Sequence, residues 1–385
     1  MNSVDGENRR PLGLYCHVPF CADACDFCTF YQEKPRRDDV TRFLEGIERE
    51  LVLFPPERPA DTFFWGGGTP GLLAPAALER LGQAFLAANG QHPPDEWTVE
   101  MAPATATRDR LAALRELGVT RISMGVQSFD KETLAVLGRR HLPEQIYRAW
   151  AHTVEAAFRD ASLDLIFAIP GQDEARWQAD LAEAVRLAPQ HISTYCLTVE
   201  EDTSLYARLA RGRIAPNPEH EAALYRATWD FLCAHGYAQY EISNFAREGH
   251  ACRHNINTWR MEEWQGYGPS AASQCGGQRF QNPANLGLWL DGLCTGKPVR
   301  EQCVTLTPAL LFSDSLIFGL RMNEGVELGQ LGVRHGMAPP QALQMLADQL
   351  QQEGFLKVNG PHWRLTLEGR LRADAIAVSI LDAFG

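Results

Sequence analysis

Residues 12–18 read LGLYCHV, a nearly continuous apolar run with the length of one strand. Five similar runs follow it: DTFFW (61–65), WTVEM (97–101), RISMGVQ (121–127), LDLIFAI (163–169) and ISTYCLTV (192–199). Continuous apolar runs, unlike alternating ones, are typical of parallel strands that are covered on both faces. The six runs therefore predict a largely parallel sheet.

Amphipathic segments separate these strands. The predicted helices cover residues 38–54, 74–88, 107–118, 144–158 and 174–188, each with apolar residues along one face. Strands that alternate with helices predict an α/β fold built from right-handed βα units. We expect a partial (β/α)6 TIM-like barrel, and periodicity leaves a doubly wound open sheet as the alternative.

The pattern changes after about residue 290. Helical segments at 307–321, 339–354 and 368–381 surround FLKVNGPHWRLT (355–366), which predicts a hairpin around Asn359-Gly360. We expect residues 1–290 to form the barrel and residues 300–385 to form a C-terminal winged-helix-like α+β domain.

Charge and composition narrow the classes of function. The 385 residues carry a net charge of −12, which argues against general binding to nucleic-acid backbones. No apolar run is long enough to span a bilayer, and the start MNSVDGENRRPLG lacks the apolar stretch of a signal peptide. We expect a cytoplasmic protein whose ten cysteines stay reduced.

Three cysteines directly follow the first strand. Cys21, Cys25 and Cys28 lie in HVPFCADACDFCTFYQ (17–32) with the spacing C-x3-C-x2-C. A structural zinc site needs a fourth ligand, whereas a [4Fe–4S] cluster with three thiolates keeps one iron open. The spacing alone leaves both sites open. In a βα barrel this loop lies at the carboxyl ends of the strands, where active sites form.

Polar residues and glycines end the later strands. FFWGGGTP (63–70) has glycines that allow a ligand to approach the backbone closely, and Thr69 is predicted to cap a short helix opened by Pro70. Glu100, Gln127, Arg139 and Asp164 follow in VEMAP (99–103), GVQSFD (125–130), LGRRH (137–141) and LDLIFAIPGQ (163–172). Each alone is better explained as a surface charge or a structural polar group; their common placement and order predict one site.

The cysteine loop, with Phe27 before its last cysteine, resembles the signature of the radical S-adenosylmethionine (SAM) superfamily. The resemblance implies a [4Fe–4S] cluster on Cys21, Cys25 and Cys28, with SAM at the open iron. Electron transfer to SAM then leaves a 5′-deoxyadenosyl radical.

The resemblance is closer to one branch of the superfamily. From residue 14 to 206, and again through CRHNINTWRMEEWQGYGPSAAS (252–273), the chain resembles the branch of the coproporphyrinogen III dehydrogenase HemN and the heme chaperone HemW. By position, the branch implies a SAM pocket lined by Tyr15, Phe27, Gly67, Gly68, Thr69, Glu100, Gln127, Arg139, Asp164 and Cys196.

Two features separate the members of this branch. The dehydrogenases have a cysteine where this chain has Phe30, and this difference counts against coproporphyrinogen decarboxylation. The chaperones carry a heme-linked motif HNxxYW, which reads HNINTW (254–259) here, with Thr258 in place of tyrosine. Imidazole is a standard ligand of heme iron and aromatic rings stack on the macrocycle. The resemblance therefore implies that His254 and Trp259 contact heme.

Taken together, the resemblance implies a protein that binds a [4Fe–4S] cluster, SAM and heme and passes heme to an acceptor protein. It also implies a low-potential electron donor. Whether SAM is consumed stays open. The alternative is a radical enzyme of the same branch, such as a methyltransferase that uses a second SAM; coproporphyrinogen dehydrogenation is a more distant third.

Overall fold

The structure is a computed structural model that describes residues 10–201, 203–210 and 217–384. The prediction about a signal peptide concerns the stretch MNSVDGENRRPLG. Most of that stretch, residues 1–9, lies outside the described residues. No helix within the described ranges is long and apolar enough to cross a membrane.

Six parallel strands in sequence order form the centre of a twelve-stranded sheet. They are β1 (Leu12–Val18), β2 (Thr62–Gly67), β3 (Glu96–Met101), β4 (Arg121–Gln127), β5 (Asp160–Phe167) and β6 (His191–Cys196). A doubly wound sheet reverses its order part-way, and this sheet does not. The predicted α/β fold is confirmed, and the doubly wound alternative is wrong.

Shorter strands extend both sides of this centre. They are β7 (Ala238–Gln239), β8 (Asn244–Ala246), β9 (Glu263–Tyr267), β10 (Ala272–Cys275), β11 (Gln278–Gln281) and β12 (Glu301–Thr305). The sheet runs β12-β11-β10-β9-β1 on one side and β6-β8-β7 on the other, with β9 parallel to β1. The two ends of this order do not pair among the described residues, so the barrel is a partial one.

The following helices accompany the sheet, and most of them cover its outer face. They are α1 (Asp39–Leu53), α2 (Pro75–Ala88), α3 (Arg108–Leu117), α4 (Lys131–Val136), α5 (Pro143–Glu155), α6 (Glu174–Arg186), α7 (Ser204–Ala210), α8 (Pro218–Ala234), α9 (Arg253–Trp259) and α10 (Leu286–Cys294). The five predicted helices correspond to α1, α2, α3, α5 and α6. The short α4 and everything from α7 to β12 were not predicted, because these elements are short or carry weak apolar periodicity.

Strand alternation determines which side chains line the barrel. In β1, Leu14 and Cys16 are fully buried in the core formed with the covering helices. Tyr15 and His17 point to the opposite face, where their side chains form a hydrogen bond with each other. The interior of the barrel is therefore available to polar residues.

The C-terminal part has a second hydrophobic core, which includes Phe312, Leu343 and Trp363. Its elements are α11 (Pro308–Arg321), β13 (Val326–Glu327), α12 (Leu328–His335), α13 (Gln341–Gln352), β14 (Leu356–Asn359), β15 (His362–Leu365), α14 (Leu367–Arg370) and α15 (Ala373–Phe384). Helix, strand, two helices and a hairpin follow one another in the order of a winged-helix-like unit; that class was predicted, whereas β13 and α12 were not. The hairpin pairs Asn359 with His362. The helix predicted at 368–381 is instead divided between α14 and α15.

Candidate functional site

A cavity of about 460 Å³ opens at the carboxyl ends of the parallel strands. Twelve of the predicted site residues line it: Cys21, Cys25, Phe27, Cys28, Gly67, Gly68, Thr69, Glu100, Gln127, Arg139, Asp164 and Cys196. The volume is within the usual range of cofactor and small-ligand sites. Residues that are up to 175 positions apart in the sequence thus share one chamber.

Backbone hydrogen bonds hold the cysteine loop at both ends. The Cys21 N–H donates to the Glu33 carbonyl at 3.0 Å, which closes the base of the loop. Near the tip, the Asp26 N–H donates to the Leu137 carbonyl at 3.1 Å, and the Leu205 N–H donates to the Asp26 carbonyl at 3.0 Å. The loop is therefore fixed to the end of α4 and to α7.

The three thiols of this loop line one cavity, and their number suits an iron–sulfur cluster. Burial raises the pKa of Cys21, Cys25 and Cys28, and the nearby Arg139 guanidinium opposes this rise. Within the described part of the chain, no three His, Cys, Asp or Glu side chains converge as a single metal ion requires. Each thiolate of a [4Fe–4S] cluster binds a separate iron, so a cluster does not need that convergence.

The glycines after β2 bring the backbone to the cavity wall. Gly67 has φ +97°, and a Cβ on it would lie 2.5 Å from the His17 ring. Thr69 precedes a short 3-10 turn (Pro70–Leu72), as predicted, but its side chain forms no capping hydrogen bond. Instead its Oγ1 lies 3.4 Å from Cys21 Sγ. Thr69 therefore belongs to the surroundings of the thiols.

Arg139 supplies the cavity with a cation. Its guanidinium carbon lies 5.9 Å from the centroid of the Phe27 ring, and its buried Nε has no hydrogen-bond partner among the described residues. Gln127 ends β4 with φ +70°, a conformation that costs energy for a residue with a side chain. An anionic ligand such as a carboxylate suits this wall of the cavity.

Two carboxyl groups line the inner part of the cavity. Burial, followed by the charge of Asp164, raises the pKa of Glu100 to about 8, and the Gly67 N–H opposes the rise. Burial also raises the pKa of Asp164. Its carboxylate accepts hydrogen bonds from three serine hydroxyls, those of Ser123, Ser162 and Ser193. These serines were not predicted as site residues, although each interrupts an apolar strand at a position that faces inward.

The family models match both parts of the chain. Residues 15–184 match the radical SAM superfamily, and residues 306–372 match the HemN C-terminal domain. A heme chaperone HemW from Synechocystis is 35% identical over 338 residues, 85% of this chain and 82% of that protein. Another from Bacillus subtilis is 30% identical over 368 residues, 94% and 97% of the two chains. The chain belongs to the HemN/HemW branch of the radical SAM superfamily.

A solved structure of this branch supports the fold. Coproporphyrinogen III oxidase (HemN) from Escherichia coli, described as a radical SAM enzyme, superposes with a TM-score of 0.84 at 26% identity. The superposition covers 96% of this chain and 90% of that one. Membership of the radical SAM superfamily implies a [4Fe–4S] cluster and SAM as cofactors.

Three residues that the branch implies as ligand contacts lie outside the cavity. Tyr15 lies inside the barrel, where its hydroxyl is 3.2 Å from His17 Nδ1 and its ring is 6.3 Å from that of Phe64. Trp259 packs against Phe318 of α11, with the Arg321 guanidinium carbon 4.9 Å from its ring. Trp259 thus contacts the C-terminal part.

His254 lies at the opposite end of the barrel from the thiols. Its Nδ1 is 2.8 Å from the hydroxyl of Thr62, the first residue of β2. Its backbone N–H donates to Glu96, the first residue of β3, at 3.0 Å. The side chain is 8% exposed, and burial lowers its pKa to about 4. His254 is therefore neutral, and Nδ1 is the ring nitrogen that forms the hydrogen bond with Thr62.

Proposed function

We propose that this protein is a radical SAM protein that binds heme and transfers it to an acceptor protein. The observation that carries the proposal is the similarity to heme chaperones along nearly the whole chain, at 30–35% identity. A protein with this role needs a site for heme as well as the cavity for SAM. We also propose a cytosolic location, because all ten cysteines are free.

In this proposal the cysteine loop holds the cluster. Cys21, Cys25 and Cys28 supply three thiolates, and Arg139 favours their deprotonation. When bound, the cluster supplies an electron and one iron that can take the amino and carboxylate groups of SAM. Asp26 holds the loop in place through its two backbone hydrogen bonds.

The cavity walls would orient SAM. The Arg139 guanidinium suits its carboxylate, and Gly67 and Gly68 leave room for it beside the backbone. Glu100 and Asp164 can form hydrogen bonds with its polar groups from the inner end. Cys196, at the end of β6, would meet the adenine through its backbone, as the branch implies.

We place heme near α9, with His254 Nε2 as a ligand for the iron and Trp259 beside the macrocycle. His254 and Trp259 do not line the SAM cavity. A substrate of radical chemistry must reach SAM, whereas a transported ligand need not. The separation of the two places supports transfer of heme over its chemical modification.

Phe30 also favours heme transfer over coproporphyrinogen decarboxylation among the functions of the branch. Its ring lies at the cavity and is 63% exposed, where the dehydrogenases have a cysteine. A phenyl ring can neither bind iron nor exchange protons. This difference weighs against decarboxylation of coproporphyrinogen.

Titration with hemin tests the proposal. We expect a Soret shift with wild-type protein and its loss in His254→Ala. Thr62→Val is the matched control, because it removes the hydrogen bond to the imidazole but keeps the imidazole itself. Wild-type protein that takes up no hemin, together with repeated SAM turnover and a methylated product, would instead establish the radical methyltransferase.

A further inference from the structure

The paired carboxyls in the cavity cannot both carry a charge at low cost. Glu100 comes from β3 and Asp164 from β5, both line the same cavity, and the charge of Asp164 raises the pKa of Glu100. Two carboxyls in this situation keep one proton between them near neutral pH. Their hydrogen bonds decide which of them keeps it.

Hydrogen bonds to the two carboxyls are very unequal. Asp164 accepts from three hydroxyls on three strands, which we call the serine trio: Ser123, Ser162 and Ser193. The distances are 2.8 and 3.1 Å from Ser123, 2.7 Å from Ser193 and 3.3 Å from Ser162. Among the described residues, the one hydrogen bond that stabilises the charged form of Glu100 comes from the Gly67 N–H. Donated hydrogen bonds stabilise the charged form of a carboxyl, so the charge belongs on Asp164.

A buried histidine orients the weakest member of the trio. His191 Nδ1 is 2.8 Å from Ser162 Oγ, and His191 Nε2 is 2.9 Å from the Tyr240 hydroxyl. Burial lowers the pKa of His191, so its ring is neutral and has one N–H. If Tyr240 donates to Nε2, then Nδ1–H donates to Ser162, and the Ser162 hydroxyl is left to donate to Asp164.

Several other charged and titratable groups lie near the two carboxyls, and one of them, Arg121, favours this assignment. Arg121 lies close enough to lower the pKa of Asp164, which favours charge there. Tyr15 and Cys21 face Glu100, and Tyr195 faces both carboxyls. Arg139 lines the same cavity.

We infer that the serine trio makes Asp164 the charged member of the pair and leaves the proton on Glu100, which donates a hydrogen bond to an oxygen of SAM. The choice of ligand rests on the proposed function, whereas the position of the proton does not. The trio acts through Asp164, so its members are positioning residues.

Infrared difference spectroscopy on the reconstituted protein without SAM tests the position of the proton. At pH 7, Glu100→Gln is expected to remove one protonated-carboxyl band from the wild-type spectrum. Loss of an ionised-carboxylate band in that variant would overturn the inference. This readout does not depend on whether SAM binds.

Calorimetric titration with S-adenosylhomocysteine tests the trio. Without the hydroxyls of Ser123 and Ser193, the proton moves from Glu100 to Asp164. Glu100 can then no longer donate a hydrogen bond to the ligand. We therefore expect S123A/S193A to bind roughly tenfold or more weakly than wild type, and S123T/S193T to recover most of the affinity.

Ser128→Ala is the matched control, because Ser128 donates at 2.7 Å to a different buried carboxyl, Asp180. It is expected to bind as wild type does. Wild-type affinity in S123A/S193A would overturn the role of the trio. If wild-type protein binds neither SAM nor S-adenosylhomocysteine, the proposed function is wrong, and the infrared result still decides where the proton is.

Discussion

Glu96 binds the first turn of the helix that carries His254. Its Oε1 accepts the His254 N–H at 3.0 Å, and its Oε2 accepts the Arg253 N–H at the same distance. A carboxylate at a helix N-terminus is stabilising because the free N–H groups and the helix dipole both favour negative charge. This contact holds α9 across the amino end of the barrel.

Removing this carboxylate is predicted to destabilise the fold strongly. Glu96 is fully buried, and Glu96→Ala leaves two N–H donors unpaired and removes a negative charge beside buried Arg121. We expect a loss of about 3–5 kcal/mol in the free energy of unfolding, measured by denaturation in urea. Exposed Glu116→Ala should change it by less than about 0.5 kcal/mol. Equal effects of the two would contradict this role of Glu96.

Gly67 is predicted to tolerate no side chain. Gly67→Ala meets both a left-handed backbone and a His17 ring at 2.5 Å. At Gly118, with φ +94°, an added Cβ would have no atom of the described residues within 4 Å. Gly118→Ala should therefore cost about 1 kcal/mol, from backbone strain alone. Gly67→Ala should cost clearly more and weaken SAM binding. Thermal unfolding of both variants separates the cost of backbone strain from the cost of the clash with His17. Similar losses of stability in the two variants would show that the His17 contact is unimportant.

Arg139 is predicted to contribute to SAM binding but not to binding of the iron–sulfur cluster. Arg139→Gln should weaken SAM binding by roughly tenfold or more, because a charge-assisted hydrogen bond is lost, while iron content stays unchanged. Its neighbour Arg140 is exposed and paired with Asp23, so Arg140→Gln is the control. Calorimetry and iron analysis give the two readouts. If Arg139→Gln binds SAM with unchanged affinity, Arg139 does not contact SAM.

Glu50 is predicted to make the protein less stable as pH rises. Burial raises its pKa to about 7, although the Gly268 N–H and the Asn282 amide both donate to it. A carboxyl whose folded pKa lies above its unfolded value of 4.5 stabilises the fold fully below pH 4.5 and loses that contribution up to about pH 7.

Relative to wild type, Glu50→Gln should therefore gain about 3 kcal/mol between pH 4.5 and 8. Urea denaturation across this pH range measures the gain, with exposed Glu45→Gln as the control. A difference between Glu50→Gln and wild type that stays constant with pH would show that Glu50 is not titrating there.

Sequence predicted the central strands well because both of their faces are buried. The bounds of β1 and β4 agree with the predicted runs at 12–18 and 121–127. The order of the strands in the structure distinguishes the barrel from a doubly wound sheet. The apolar periodicity of the sequence does not indicate that order, so both folds had remained possible. Strands of two to five residues, such as β7 and β8, depend on their neighbours and have no pattern of their own.

The residues of the cavity were predictable where they end strands, and less so where they lie within them. Glu100 and Asp164 stand out as carboxyls in apolar runs. The serines that bond to Asp164 are small and polar, and only the register of β4, β5 and β6 shows that they meet. His254 shows the converse: its motif was visible, but its place at the amino end of the barrel required the structure.

Electron paramagnetic resonance tests the central claim most directly. The claim is that three thiolates hold a [4Fe–4S] cluster with one iron open to SAM. Anaerobically reconstituted, dithionite-reduced protein should show a cluster signal that changes when SAM is added, and a variant with alanine at positions 21, 25 and 28 should show none. A reduced-cluster spectrum that is identical with and without SAM would contradict the account.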